Sequence, residues 1–214
     1  PEAYARSITF RDAQPPVSPR LVVMRLSAQA LDQVVQGTAH NAQDILKAGA
    51  ASQPLPTFDI PARIRASFAL SRREFTSDNV LGILPGSDPK CTPETVIVSA
   101  HLDGYGYGEA VNGDSLYNGA FDDAAYVATL IRLAEQRAGK GFRRSVLFAV
   151  YTGEEKGLLG STWFSEHLTV PKANLAAVIN LDQLRPLFPL KILTMHAIDD
   201  TTLAKNVRRV ASGM

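Results

Sequence analysis

Residues 95–103 read TVIVSAHLD and residues 145–155 read SVLFAVYTGEE, and these two stretches decide the fold class. Each opens with a short, almost wholly apolar run of strand length and then turns polar or acidic. Such runs are typical of strands in a sheet that is covered on both faces. Between them, residues 120–138 carry apolar side chains at helical spacing, and Gly139 follows. The order predicts an α/β domain with a mostly parallel central sheet flanked by helices.

The pattern continues from about residue 63 to the end of the chain. Further strands are predicted at 64–70, 79–84, 175–181 and 191–195, and further helices at 158–168 and 201–211. Residues 1–62 differ, because prolines punctuate them and they hold no candidate chemistry. This part predicts a short strand at 21–24 and two helices, one after Ser27 and one at 42–50. The chain thus divides into a segment 1–62 and an α/β domain 63–214.

Composition excludes several classes of partner. A net charge of +1, with basic residues in isolated pairs, gives no electrostatic footprint for nucleic acid or an acidic membrane. No apolar stretch approaches the roughly 20 residues that cross a bilayer. The single cysteine, Cys91, cannot form an internal disulfide.

Polar residues follow three buried strands of the predicted sheet. His101 and Asp103 follow the run at 95–100, Glu154 and Glu155 follow the run at 145–151, and Asp182 follows the strand at 175–181. The loop before the helix at 120–138 adds two more carboxylates, Asp122 and Asp123. Because ligands of such sheets bind beyond the carboxyl ends of the strands, these groups are expected to converge in space.

One imidazole among several carboxylates suits a divalent metal such as Zn²⁺ or Mn²⁺. There are more carboxylates than one ion needs, so a site with two ions bridged by one carboxylate is expected. Adjacent glutamates then offer one metal ligand and one general base for hydrolysis. Each motif alone also fits a hydrogen-bonded turn, a helix start or a helix cap; their conjunction at one sheet edge favours the metal site.

At these residues the chain resembles a known family, the co-catalytic zinc aminopeptidases, which include secreted bacterial aminopeptidases and relatives of glutamate carboxypeptidase and the transferrin receptor. The matching stretches are VIVSAHLDGYG (96–106), NGAFDDAA (118–125), LFAVYTGEEKGLLGS (147–161) and INLD (179–182). The resemblance implies a zinc-dependent exopeptidase of the aminopeptidase type that acts on peptides. It also implies a secreted or periplasmic location.

The same resemblance assigns a role to each site residue. His101 and Asp182 would hold one zinc ion, Asp122 would bridge two ions, and Glu155 would bind the second. Glu154 would be the general base. Asp103 would orient the imidazole of His101, as carboxylates beside zinc-bound histidines commonly do.

One ligand of the family pattern has no counterpart in the sequence. The family takes a final histidine for its second zinc from far downstream of Asp182, whereas this sequence ends at Met214. His196 is the one conceivable substitute, and the expectation is a catalytic domain truncated before that histidine. Residues 1–62 resemble, more faintly, part of a protease-associated domain.

Two other functions remain open on the same fold. One is a glutaminyl-cyclase-like transferase with a single zinc ion, although the run GEEKGLLGS (153–161) is more similar to the peptidases. The other is a receptor-like binding module without catalysis. A module that had lost catalysis would be expected to lack at least one of the site residues. The sequence argues against this function, because it retains His101, Asp122, Glu154, Glu155 and Asp182.

Overall fold

The structure is a computed structural model that describes residues 8–12, 27–61, 63, 65, 67, 71–182 and 194–213. The predicted strand at 21–24 lies outside the described residues, as do all of the strand predicted at 64–70 except residues 65 and 67, and the first three residues of the strand predicted at 191–195. The described residues fall into two compact units, one within Arg11–Phe75 and the other comprising the remainder. The division into a segment 1–62 and a domain 63–214, and the likeness to a protease-associated domain, stay predictions.

The smaller unit contains helices α1 (Ala28–Val35) and α2 (Ala42–Ala50). Each begins where the sequence predicts, because a polar side chain caps it: Ser27 Oγ accepts the N–H of Ala30, and Asn41 Oδ1 accepts the N–H of Asp44. Neither helix carries a predicted site residue.

The larger unit is built on a four-stranded sheet that confirms the predicted fold class. Its strands are β1 (Val80–Leu84), β2 (Thr95–His101), β5 (Ser145–Tyr151) and β6 (Leu175–Asn180), in the order β1-β5-β2-β6. β2 pairs in parallel with both β5 and β6, and β1 pairs antiparallel with β5 at one edge. The carboxyl ends of β2, β5 and β6 therefore meet at one edge of the sheet.

Helices cover both faces of the sheet, which explains the continuous apolar runs. On one face, Val98 and Ala100 of β2 pack with Tyr126, Val127 and Leu130 of α3 (Ala125–Arg137). On the other face, Ile97 of β2 and three residues of β5 pack with Phe164 of α4 (Leu159–Glu166). Burial of each large side chain contributes about 2 kcal/mol to folding.

The local structure differs from the predicted elements in three places. The helix expected over 120–138 is regular only in α3, because a wide π-helical turn over Ala120–Ala124 precedes it. A two-stranded hairpin, β3 (Gly106–Val111) with β4 (Asp114–Tyr117), was not predicted at all. The last helix, α5 (Ala204–Ala211), is three residues shorter at its start than predicted. None of the helices in the described part of the chain is both long and apolar enough to span a bilayer.

Candidate metal centre

His101 is the last residue of β2 and stands at the centre of the acidic cluster. Its side chain is almost fully buried, and its Nε2 lies 3.2 Å from Oδ1 of Asp122 and 3.7 Å from Oε2 of Glu154. Its Nδ1 lies 3.0 Å from the backbone carbonyl oxygen of Asp103. A buried imidazole held on one nitrogen presents the other to a ligand, as metal-binding histidines do.

The side chains of Asp122 and Asp123, in the turn before α3, point in different directions. Asp122 and Asp123 both depart from helical backbone angles, so the helix is interrupted where they stand. Asp122 faces the imidazole of His101, whereas Asp123 is fully buried and its Oδ2 accepts the backbone N–H of His101 at 3.1 Å. Asp123 thus ties the turn to the end of β2 and leaves Asp122 at the cluster.

Residues 152–160, which follow β5, form what we call the glutamate loop. Gly153 has a φ of +65°, a left-handed conformation that turns the chain sharply before Glu154 and Glu155. The two oxygens of the Asp103 carboxylate accept the backbone N–H groups of Glu154 and Glu155, at 3.0 and 3.2 Å. The end of β2 therefore fixes the backbone of both glutamates.

These contacts change the interpretation of Asp103. The family resemblance implies that its carboxylate orients the imidazole of His101, but Oδ1 of Asp103 lies 3.7 Å from Nδ1 of His101, too far for a hydrogen bond. The carbonyl of Asp103 contacts that nitrogen instead, and its carboxylate holds the glutamate loop.

The structure brings all four predicted metal ligands and the predicted base to one place. Two groups of potential ligand atoms, each with its atoms within 4.8 Å of one another, share His101. One group adds Asp122 and Asp182, and the other adds Glu154 and Glu155. The family resemblance implies that Glu155 and Asp122 bind the same ion, a combination that these two groups do not contain.

Crowded carboxylates shape the electrostatics of the cluster. Burial raises the pKa of Asp182, Glu154 and Glu155, and their neighbouring carboxylates add to the effect. Burial also raises the pKa of Asp123 to about 6. For His101 burial acts to lower the pKa, but the negative charges of Glu154, Asp123 and Asp103 outweigh it and raise it. Such a site favours cations.

Unsatisfied oxygens give an independent test of whether a metal fits. Among the described residues, the buried side-chain oxygens without a hydrogen-bond partner are Oδ1 of Asp123, Oε1 of Glu155 and Oδ1 of Asp182. Buried polar atoms are rarely left unpaired, so carboxylate oxygens of this kind call for a cation. One histidine nitrogen with several carboxylate oxygens is a donor set that zinc accepts.

The other histidines do not reach this cluster. His196 is exposed and belongs to neither group of potential ligands in the described part of the chain. His167 stacks on Trp163 and its Nδ1 lies near the carbonyl of that residue, whereas His40 packs against Phe58. The structure thus gives no support to His196 as a substitute ligand.

Tyr105 is a site residue that sequence reasoning missed. The neighbouring Glu155 carboxylate raises the pKa of Tyr105 to about 12. The Nζ of Lys156 lies 5.9 Å from the centre of its ring. The sequence could have indicated Tyr105, because this residue carries a hydroxyl group and stands only two positions after Asp103.

Comparisons with known proteins identify relatives that are named as metalloproteases and peptidases. The chain is 35% identical over 95 residues to a probable zinc metalloprotease of Pyrenophora tritici-repentis, covering 44% of this chain and 20% of that protein. It is 32% identical over 143 residues to the mouse aminopeptidase NAALADL1, covering 64% and 17%. It is 30% identical over 110 residues to a probable glutamate carboxypeptidase of Arthroderma benhamiae, covering 49% and 13%.

The chain spans about a fifth or less of the length of each of these relatives. The model of peptidase family M28 matches residues 79–214, which is more than half of the chain and includes every predicted site residue. This chain therefore belongs to peptidase family M28.

Proposed function

We propose that this chain provides the active site of a zinc-dependent exopeptidase of the aminopeptidase type, with two adjacent metal ions and a glutamate base. The observation that carries the proposal is that four carboxylates from three other segments of the chain converge on His101. These are more carboxylates than one ion needs, which favours two neighbouring ions.

In this proposal His101 and Asp182 hold one zinc ion, Asp122 bridges both, and Glu155 holds the second. The unpaired oxygens of Glu155 and Asp182 support these assignments, because each is buried and lacks another partner. Zinc bound there would polarise the peptide carbonyl and lower the pKa of the attacking water. The chain's own residues position these ligands through Asp103 and Asp123, which accept the backbone N–H groups of Glu154, Glu155 and His101.

Glu154 is proposed as the general base that takes a proton from the attacking water. Burial raises the pKa of its carboxyl, which brings it nearer to neutral pH, where a base transfers protons most effectively. Its backbone is fixed by Asp103, so the carboxylate is held close to His101 without being committed to a hydrogen bond there.

The Glu154→Gln variant tests this role. We expect turnover of a peptide substrate to fall by about 10²–10⁴-fold while the zinc content, measured by atomic absorption, stays unchanged. Glu166→Gln is the matched control, because Glu166 is an exposed glutamate at the end of α4 and outside the cluster. Unchanged turnover would exclude Glu154 as the base, and loss of zinc would make it a ligand instead.

The choice between the two termini of the substrate needs its own experiment. A tripeptide amide with a free amino group should be cleaved, whereas its N-acetylated counterpart with a free carboxylate should not. Cleavage of the acetylated peptide alone would replace the aminopeptidase assignment by a carboxypeptidase one. The names of the relatives include both activities.

We also propose that the protein acts on peptides in a secreted or periplasmic location, without nucleic-acid or membrane partners. The resemblance to secreted aminopeptidases and the net charge of +1 support this. Fractionation of the native source, with detection by antibody, would contradict the proposal if the protein stayed with the cytoplasm or the membrane.

A further inference from the structure

Asn79, which directly precedes β1, contacts both ends of the glutamate loop. Its Oδ1 accepts the backbone N–H of Thr152 at 3.2 Å, and its Nδ2 donates to the carbonyl of Gly160 at 2.9 Å. The N–H of Gly160 in turn donates to the carbonyl of Thr152 at 2.8 Å. One amide side chain therefore closes the loop at its base.

The packing at this point leaves little room for another arrangement. A Cβ at Gly160 would lie 2.3 Å from the carbonyl oxygen of Thr152 and 2.4 Å from Oδ1 of Asn79. The hydroxyls of Ser77 and Thr152, 2.7 Å apart, add another hydrogen bond between the same two segments. The loop ends are thus held against residues 77–79, which are far away in sequence.

Nothing at Asn79 reaches the metal ligands directly. The loop between its two contacts nevertheless carries both Glu154 and Glu155, whose side chains must stand at fixed positions beside His101. The carboxylate of Asp103 fixes the middle of this loop, and Asn79 fixes its ends. Outer contacts of this kind commonly change metal affinity because they set the orientation of the ligands.

We propose that Asn79 is a positioning residue for the metal centre: it holds the glutamate loop so that Glu155 can bind zinc, and zinc affinity depends on it. This rests on the proposed function, in which Glu155 is a zinc ligand. The same dependence should hold more weakly for Ser77, whose hydroxyl contacts the side chain of Thr152 and not the loop backbone among the described residues.

Zinc affinity is measured by competition with a chromogenic chelator on the full chain, using Zn²⁺ alone. Asn79→Ala is expected to weaken binding about tenfold, the lower end of the effect of outer contacts. The key comparison repeats Asn79→Ala in a Glu155→Gln background, where the loop no longer supplies this ligand. There the substitution should have no further effect, because coupled residues are non-additive.

Leu81→Ala is the matched control for stability. Leu81 lies on β1, two residues from Asn79, pairs with Ala149 of β5 and packs against the apolar core. Its thermal midpoint should fall while its zinc affinity stays within about twofold of the unmodified chain. Should Asn79→Ala fail to fold, Asn79→Asp retains the acceptor for Thr152 but loses the donor to Gly160, and Ser77→Ala removes one exposed hydroxyl.

The outcomes separate the two proposals. Equal losses of zinc affinity for Asn79→Ala in both backgrounds, or an equal loss for Leu81→Ala, would overturn the positioning role and leave the metal ligands untouched. If Glu155→Gln alone left zinc affinity unchanged, Glu155 would not be a ligand, and both the proposed metal assignment and the role of Asn79 would be overturned.

Discussion

Two segments leave the same edge of the sheet and are built in opposite ways. The glutamate loop is held at its ends by Asn79 and in its middle by Asp103, and its last residue, Gly160, is buried. The β3–β4 hairpin forms its own two-stranded sheet, and Tyr107 on it is 70% exposed. The loop carries two predicted site residues and the hairpin carries none, so contacts from distant segments accumulate where side chains must be placed accurately.

The base of the hairpin is the one part that shares the loop's tight packing. A Cβ on Gly104 would come within 3.0 Å of Gly119, and these two glycines flank the hairpin in sequence. Beyond that base, no Cβ added to Gly106 or Gly113 would meet any atom within 4 Å. The contrast therefore predicts that substitutions in the loop change stability and zinc affinity together, whereas those at the hairpin tip change stability alone.

Gly160→Ala should have the largest effect. The new Cβ would clash with the backbone of Thr152, which cannot move without displacing the loop, so we expect a loss of about 3 kcal/mol in the free energy of unfolding. Gly113→Ala, in the hairpin turn at a φ of +87°, should cost about 1 kcal/mol for its backbone conformation only. Urea denaturation of both variants measures the difference. Equal losses in the free energy of unfolding would contradict the contrast between the glutamate loop and the hairpin.

The pH dependence of the metal-free chain should show the next largest effect. Burial raises the pKa of Asp123 to about 6, above its unfolded value, so the folded state holds more protons than the unfolded state between these pH values. Stability that is fully present below about pH 4 should therefore be lost as the pH rises through 6, by about 3 kcal/mol from Asp123. Glu154, Glu155 and Asp182 act in the same direction.

Asp123→Asn tests this slope, because asparagine keeps an acceptor for the N–H of His101 but cannot ionise. Its free energy of unfolding should vary less with pH than that of the unmodified metal-free chain. Zinc at neutral pH should restore stability to the unmodified chain, as any ligand of the folded state does. A stability that rises between about pH 4 and 6 in the absence of metal would contradict the assigned direction.

Asp103→Asn should have an intermediate effect on the free energy of unfolding. Asparagine offers one acceptor oxygen where the carboxylate offers two, so the N–H of Glu154 or Glu155 loses its charged partner, at a cost of about 1.5 kcal/mol. Asp114→Asn is its counterpart in the hairpin, where Oδ1 of Asp114 accepts the N–H of Leu116 at 2.9 Å. That change should cost about 0.5 kcal/mol or less, because asparagine caps a turn nearly as well.

Zinc affinity also distinguishes Asp103→Asn from Asp114→Asn. It should fall for Asp103→Asn and stay within about twofold for Asp114→Asn, because only Asp103 holds a segment with a metal ligand. Chelator competition on both variants gives the answer. A parallel fall in affinity would mean that the hairpin, too, positions the metal centre.

Sequence reasoning succeeded where one physical rule acts over a contiguous segment. The apolar run at 145–151 is β5 to the residue, and the rule that strand ends converge placed His101 beside Asp122 and Glu154. Sequence reasoning failed where one side chain has several possible hydrogen-bond partners. Nothing in a sequence says that the carboxylate of Asp103 prefers two backbone N–H groups to an imidazole, or that Asp123 turns inward. The hairpin was missed despite Asn112-Gly113, a pair typical of two-residue turns.

The smallest effect on the free energy of unfolding is expected for Asn112→Gly in that turn. Asn112 and Gly113 both have positive φ, +54° and +87°, as a type I′ turn requires. Asn112→Gly fits this backbone and should change the free energy of unfolding by less than about 0.5 kcal/mol. Asn112→Val places a β-branched residue in the left-handed region and should cost about 1–2 kcal/mol.

Neither variant should alter zinc affinity, because the turn lies at the far end of the hairpin from Gly104, Tyr105 and Gly119. Affinity within about twofold of the unmodified chain would fit a hairpin that tolerates change at its tip. A tenfold loss in Asn112→Val would instead show that distortion travels down the hairpin to Tyr105, which lies beside the Glu155 carboxylate. In that case the hairpin and the glutamate loop would be two supports of one metal centre.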